Sequence, residues 1–291
     1  MALASRHSDK RLPSTEPPTA IAVDKVTKFF GGSRSRLCAL AEISFTVEAG
    51  RFVSLIGPSG CGKSTLLQLV AGIDVPTSGT IEVNGMSPLQ ARRKRQFGIV
   101  FQQPVLFDWR TVEANVALPM QIMGYPRAET RERVEHLLKL VGLQSFTKHH
   151  PWQLSGGMQQ RVAIARALAY QPTILLMDEP FASVDAQTRG DLEDLILRVR
   201  EEFGITILFV THDIDESVYL ADRVVVLTHS PTEVKEIVPV ALPRPRDQIA
   251  TKELAEFAQL RAHVYRLIKR EQEASDPETL APSVPDTRTP V

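Results

Sequence analysis

Gly57-Pro58-Ser59-Gly60-Cys61-Gly62-Lys63-Ser64-Thr65 fits the pattern G-x-x-x-x-G-K-[ST], and its neighbours give that pattern physical meaning. Before it, Phe52-Val53-Ser54-Leu55-Ile56 reads as a buried strand; after it, Thr65-Leu66-Leu67-Gln68-Leu69-Val70-Ala71 reads as a helix that stops at Gly72. The glycines fall in a strand-to-helix turn, where the backbone curls its N–H groups inward on an anion. The helix N-terminus adds partial positive charge, Lys63 supplies a full one for β- and γ-phosphates, and the Ser64 hydroxyl is placed for Mg²⁺. A Gly-rich turn with an incidental Lys is the alternative, and the flanking strand and helix speak against it.

Working outward, Ile21-Ala22-Val23 and the alternating Ile43-Ser44-Phe45-Thr46-Val47 read as strands, and Ile81-Glu82-Val83 followed by Asn84-Gly85 carries a hairpin signal. Three further apolar runs, Phe97-Gly98-Ile99-Val100-Phe101, Ile174-Leu175-Leu176-Met177 and Thr206-Ile207-Leu208-Phe209-Val210, read as core strands with polar residues just past their ends. Residues 104–170 turn helical: Val134, Leu137, Leu138 and Val141 follow helical spacing and stop at Gly142. Met120, Ile122 and Met123 are expected in ordinary core packing, a partner-facing patch being the alternative. The expected fold is α/β: a P-loop core with a mainly parallel sheet, an antiparallel β subdomain and an inserted helical subdomain.

The chain's 291 residues, 43% of them hydrophobic, suit one large domain or one domain with a subsidiary lobe. Its 34 Lys and Arg balance 34 Asp and Glu, so net charge points to neither nucleic acid nor an anionic membrane. Two cysteines, Cys38 and Cys61, one of them inside the phosphate loop, argue for a reducing compartment. No apolar run approaches the roughly 20 residues that span a bilayer, and Met1-Ala2-Leu3-Ala4-Ser5-Arg6-His7 lacks the apolar stretch of a secretory signal. The expectation is a protein neither exported nor self-inserted. Residues 1–20 and those after about 274 read as disordered tails around a domain at 21–250. Within 251–291, Leu254, Phe257, Val264, Leu267 and Ile268 form an amphipathic face expected to pack on the domain's own core.

In open α/β sheets ligands gather outside the carboxyl ends of strands. Asp178 and Glu179 follow one such end, suiting Asp178 to the Mg²⁺ shell with Ser64 and Glu179 to polarising an attacking water. Gln102 ends its own strand and offers an amide oxygen to Mg²⁺ or the water; His212 follows another and is a candidate for the γ-phosphate. Leu154-Ser155-Gly156-Gly157-Met158-Gln159-Gln160-Arg161, leading into an Ala-rich run, reads as a helix start with an open N-terminus, a second anion site that has no Lys of its own. Cys61, beside a helix N-terminus and Lys63, is expected to be a reactive thiol protected by nucleotide, with an inert small residue as the alternative.

The P-loop, Gln102, the octet from Leu154 to Arg161, Asp178-Glu179, Ser183-Val184-Asp185 and His212 stand in an order that resembles the ATP-binding subunits of ABC transporters, over residues 21–242. The resemblance implies ATP and Mg²⁺ as ligands, with residues 57–65 binding the phosphates, Phe30 stacking on adenine and Glu179, His212 and Gln102 serving hydrolysis. It also implies a homodimer closing head to tail, so that Leu154, Ser155, Gly156, Gly157, Gln160 and Asp185 reach the ATP held by the other copy. Trp109-Arg110-Thr111-Val112, the run from Thr211 to Arg223, and Leu242-Pro243-Arg244-Pro245-Arg246 are similar to importers of nitrate, sulfonate, taurine and related small anions or metabolites. That likeness implies integral membrane permease subunits, a solute-binding protein acting indirectly, no nucleic acid, and a peripheral place at the cytoplasmic face of the inner membrane. The face from Gln102 to Arg110 is where a permease is expected to dock, Trp109 serving there or as a buried anchor of the helical lobe. Alternatives are a soluble ABC ATPase acting on nucleic acid, which usually carries coiled-coil insertions or tandem cassettes absent here, and a lipid-transport or export ATPase.

Overall fold

The computed structural model describes residues 18–31 and 36–275. Two sheets form its frame. The first is antiparallel, ordered β2-β1-β4, from β1 (Thr19–Phe30), β2 (Leu37–Glu48) and β4 (Ser78–Val83). The second runs β5-β6-β7-β3-β8-β9, from β3 (Phe52–Ile56), β5 (Phe97–Val100), β6 (Ile174–Asp178), β7 (Thr206–Thr211), β8 (Arg223–Leu227) and β9 (Val234–Pro239). All its pairs are parallel except β8 with β9.

The apolar runs of the parallel strands have a simple cause. Both faces of that sheet are covered, so successive residues of one strand enter two different cores. Leu175, Met177, Ile207 and Phe209 join a core shared with the helices, whereas Ile174, Leu176, Leu208 and Val210 join one shared with the antiparallel sheet and the helix after the P-loop. In β2 the alternation is that of a half-covered strand: Ile43, Phe45 and Val47 are buried and Ser44 and Thr46 exposed.

The helical lobe contains α3 (Val112–Ile122), α4 (Arg127–Leu140) and α5 (Gly156–Leu168), preceded by α1 (Lys63–Val70) and α2 (Pro88–Arg93) in the core. Beyond it come α6 (Ala186–Phe203), α7 (Ile214–Leu220) and α8 (Ala255–Ser275). Val134, Leu137, Leu138 and Val141 are all buried, as their spacing requires. Phe257, Val264 and Leu267 lie buried in the helical core, with Leu254 and Ile268 packed against it.

Several expectations need correction. Asn84 and Gly85 do form a tight turn with positive φ (49° and 69°), but it closes only the isolated bridge between Val83 and Met86. A second strand does not follow because Ser87, Pro88 and Gln90 start α2 with a capping box, and β4 pairs with β1 instead. Of the methionine group, Met120 is in the core, whereas Ile122 is 75% exposed at the end of α3. Pro18, Thr19 and Ala20, placed in a tail, are ordered with Thr19 and Ala20 opening β1; residues 1–17 and 276–291 lie outside the described residues. Strands β8 and β9 were not anticipated, although Arg223-Val224-Val225-Val226-Leu227 carries the apolar run of a buried strand.

Asp222 fastens this frame. Its Oδ2 accepts hydrogen bonds from the Phe52 N–H at 2.8 Å and Arg200 Nη2 at 2.7 Å, and its Oδ1 accepts from Arg244 Nη2 at 2.8 Å. Burial pushes this carboxyl up, but the Phe52 N–H and the two guanidiniums hold it below its ordinary value.

Candidate functional site

The parallel register brings the chemistry to one edge of the sheet. Ile56 pairs with Thr211, Asp178 with Val210, and Val100 with Met177, so the P-loop, Asp178-Glu179, His212 and Gln102 all leave the sheet at its carboxyl end.

Gly62 precedes α1 at φ 104°, a left-handed conformation that glycine adopts without steric cost, and α1 starts directly with Lys63. The Lys63 ammonium is buried, and its Nζ donates to the carbonyls of Gly57 and Pro58, each at 2.9 Å. No acidic residue stands in the first turn of α1, so the positive end of the helix and the Lys charge face the loop uncancelled. Cys61 departs from expectation. It is 1% exposed, and burial pushes its thiol above the ordinary value against the pull of Lys63, which removes the basis for a reactive thiolate.

Ser64 Oγ donates to Asp178 Oδ1 at 2.9 Å. Burial raises the Asp178 carboxyl, Ser64 opposing and the Glu179 charge adding. A hydroxyl beside a carboxylate oxygen is a donor set that fits Mg²⁺, which is ordinarily held through one or two protein oxygens together with phosphate and water. Among the described residues no group of three or more His, Cys, Asp or Glu side chains is arranged to hold a metal, so a cage built from protein alone does not compete with that arrangement. Glu179 sits at φ 45°, a strained value for a residue with a Cβ, with its N–H donating to the Val210 carbonyl at 2.9 Å. Its Oε2 meets His212 Nδ1 at 2.9 Å. Gln102 is exposed two residues past β5, at the same end of the sheet.

The helix start at Ser155, expected as a second anion site, is capped and open. Ser155 caps α5, its Oγ accepting from the Met158 N–H at 3.3 Å, and Gly156 has open space where a side chain would stand. Gly157 is required by packing, because a Cβ there would lie 2.2 Å from Thr188 Cγ2 of α6. Asp185 caps α6, its Oδ1 accepting from the Thr188 N–H at 3.0 Å; this exposed carboxyl is held below its ordinary value by that bond.

Two residues expected to reach the ATP of another copy are turned inward. Leu154 is buried in the helical core, and Gln160, 1% exposed, donates Nε2 to the Phe101 carbonyl at 3.0 Å. Gln160 therefore links α5 to the end of β5. Arg166, which the sequence did not single out, makes a similar link by donating to the carbonyls of Val105 and Pro104 at 2.8 Å each. Their partners lie about sixty positions away in sequence, so no local signal marks either.

Phe30 is 40% exposed at the end of β1, with Lys28 Nζ 5.0 Å from its ring centroid. Trp109 is 75% exposed and touches Phe107 edge-on at 5.0 Å between centroids, so it is not a buried anchor of the lobe.

Comparison with known proteins gives the family. Residues 40–182 match the model of the family described as ABC transporter. Over 260 residues the chain is 42% identical to the nitrate import ATP-binding protein of Synechococcus elongatus, an alignment that takes in 87% of the chain and 39% of that longer protein. Over 244 residues it is 40% identical to the aliphatic sulfonates import ATP-binding protein of Bacillus thuringiensis, covering 84% of the chain and 94% of that protein. Among solved structures it is similar to a dimeric ATP-binding cassette in a post-hydrolysis state bound to ADP and Pi, at 35% identity and a TM-score of 0.67, over 76% of the chain and 98% of that cassette.

Proposed function

The chain belongs to the ABC transporter family of ATP-binding, ATP-hydrolysing subunits, and from that premise we propose that it powers import of a small anionic solute of the nitrate or sulfonate kind, through head-to-tail closure of two copies on two ATP molecules. One observation carries the dimer reading. The chain has a complete phosphate loop with its own Lys63, and also a helix start at Ser155 and Gly156 that is open, capped and without a cation. Each kind of site can hold an anion, and in this reading the second completes the first in another copy.

In this reading the loop amides and Lys63 hold the phosphates, each charge-assisted hydrogen bond being worth roughly 1.5–3 kcal/mol. Ser64 and Asp178 would hold Mg²⁺, which supplies positive charge against the developing charge on the phosphates. Glu179 takes the proton of the attacking water; His212 holds the Glu179 carboxylate in place, and Gln102 stands level with both. Phe30 offers its exposed ring to adenine. Ser155, Gly156, Gly157 and Asp185 of one copy close the site of the other.

Phe101, Val105 and Trp109 expose apolar surface next to Gln102. The reading docks a membrane permease there, with a solute-binding protein beyond it and no role for nucleic acid. It places the subunit peripherally at the cytoplasmic face of the membrane. Among the described residues no helix is long and apolar enough to cross a bilayer. The test is co-expression with the membrane subunit of a nitrate- or sulfonate-type importer, with cysteines at Val105 and Trp109 for cross-linking and labelled nitrate or sulfonate for uptake. Cross-links and ATP-dependent uptake support the reading. Cross-links arising only from the antiparallel β2-β1-β4 face would overturn the docking.

A further inference from the structure

Arg189 stands in the first turn of α6, and its guanidinium meets three separate places. Nη2 donates to the Val184 carbonyl at 3.2 Å, Nη1 donates to Asp213 Oδ2 at 3.1 Å, and Nε lies 3.6 Å from Glu216 Oε1. Val184 precedes Asp185, on the loop that the proposed function puts against the other copy. Asp213 follows His212 and caps α7, its Oδ1 accepting from the N–H groups of Asp215 at 2.8 Å and Glu216 at 3.1 Å. Glu216 is itself held by the hydroxyl of Thr211, the residue before His212, at 2.6 Å. With Glu179, Thr211, His212, Asp213 and Glu216, Arg189 lines one small cleft. A planar fork makes such contacts in several directions at once, which a single ammonium does not.

We propose that Arg189 is a positioning residue for ATP hydrolysis: it ties the main chain before Asp185 to the cap of the helix after His212, so that contact of the other copy with Asp185 sets where His212 holds the Glu179 carboxylate. This rests on the head-to-tail reading above. A structural arginine would alter stability alone; a positioning one alters turnover while leaving binding and closure in place.

The test uses the full chain with Arg189→Ala, Arg189→Lys, Asp213→Asn and the double variant Arg189→Ala/Asp213→Asn. Each is measured for kcat, KM and melting temperature, and for ATP-driven dimerisation by sedimentation in a Glu179→Gln background. The expected kcat is lower by roughly 10- to 100-fold, the scale of a small misplacement of reacting groups, with KM, melting temperature and dimerisation kept. Arg189→Lys keeps the charge without the fork and does not rescue. Asp213→Asn keeps the helix cap but loses the ionic partner, and gives the same kcat loss, which the double variant does not deepen. A kcat within about two-fold of the parent, full rescue by Lys, additive single losses, or losses that track melting temperature would each overturn the proposal. If Arg189→Ala does not fold, Arg189→Lys and Asp213→Asn carry the same comparison. Failure of the Glu179→Gln parent to dimerise with ATP would overturn the head-to-tail reading itself, whereas a dimerising parent with an unimpaired Arg189→Ala overturns only the role given to Arg189.

Discussion

Gln160 donates its amide to the main-chain carbonyl of Phe101 at 3.0 Å, and this contact fastens the start of α5 to the strand end that carries Gln102. Gln160→Ala removes the donor from an otherwise packed junction, at an expected cost of about 1–3 kcal/mol in unfolding free energy. Denaturant unfolding measures it. Unchanged stability would return Gln160 to an ATP-facing role.

Glu179→Gln is expected to keep ATP binding while lowering turnover by roughly 10²-fold or more, the scale of losing a general base. Closure then no longer ends in hydrolysis, and an ATP-bound dimer accumulates in sedimentation. Turnover near that of the parent would remove Glu179 from its role.

Lys63→Ala fails earlier, at nucleotide binding, because the phosphates lose a buried cation worth roughly 1.5–3 kcal/mol. Ser155→Arg fills the open helix start at the other site and blocks closure, while binding to the isolated chain persists. A monomer titration with a fluorescent ATP analogue separates the two. Equal weakening by both substitutions would contradict a site shared between copies.

Cys61 is expected to resist maleimide at neutral pH without nucleotide, since burial holds its thiol protonated and out of reach. Cys38 is half-exposed and serves as the internal control. Mass spectrometry over time gives the two rates, and modification of Cys61 as fast as Cys38 would show that the loop opens readily.

Glu216 makes stability depend on pH. Burial pushes its carboxyl up from 4.5 to about 7; the Thr211 hydroxyl and Arg189 pull it down, and Asp213 and Glu193 push it further up. The folded state therefore holds a proton that the unfolded state releases, so this contribution is full below the unfolded value and is lost as pH rises through about 7. Stability is expected to fall between about pH 4.5 and pH 7 by an amount on the order of 1–3 kcal/mol, read as a drop in melting temperature. Glu216→Gln flattens the decline, and an equal slope in both proteins would exclude Glu216 as its source.

What was legible in the sequence is what is written contiguously. The P-loop, the Asp178-Glu179 pair and the start of α5 each occupy a short run between elements whose periodicity is strong, so their placement at strand and helix ends follows from local spacing. What was not legible depends on partners elsewhere in the chain. The charges near Cys61 are visible in its own loop, but its burial is not, for Leu227 packs near Gly57 and Thr232 hydrogen-bonds the Cys61 carbonyl. The turn at Asn84-Gly85 is real, yet the chain after it enters α2 through the Ser87–Gln90 capping box, and the strand that pairs with β4 is β1, some fifty to sixty positions upstream. Leu154 and Gln160 lie in a motif that points at a ligand, and only the fold shows which of its side chains face inward.

The strand that delivers the phosphate loop, β3, is flanked by β7 and β8. Both neighbours are translated long after it, so a nascent chain carries the complete Gly57 to Thr65 motif while its strand still has two bare edges. Only when Leu227 has left the ribosome does that strand have its walls. Pairings so distant in sequence are slow to close, and a fragment ending before β7 would contain every residue of the loop without forming a nucleotide cradle.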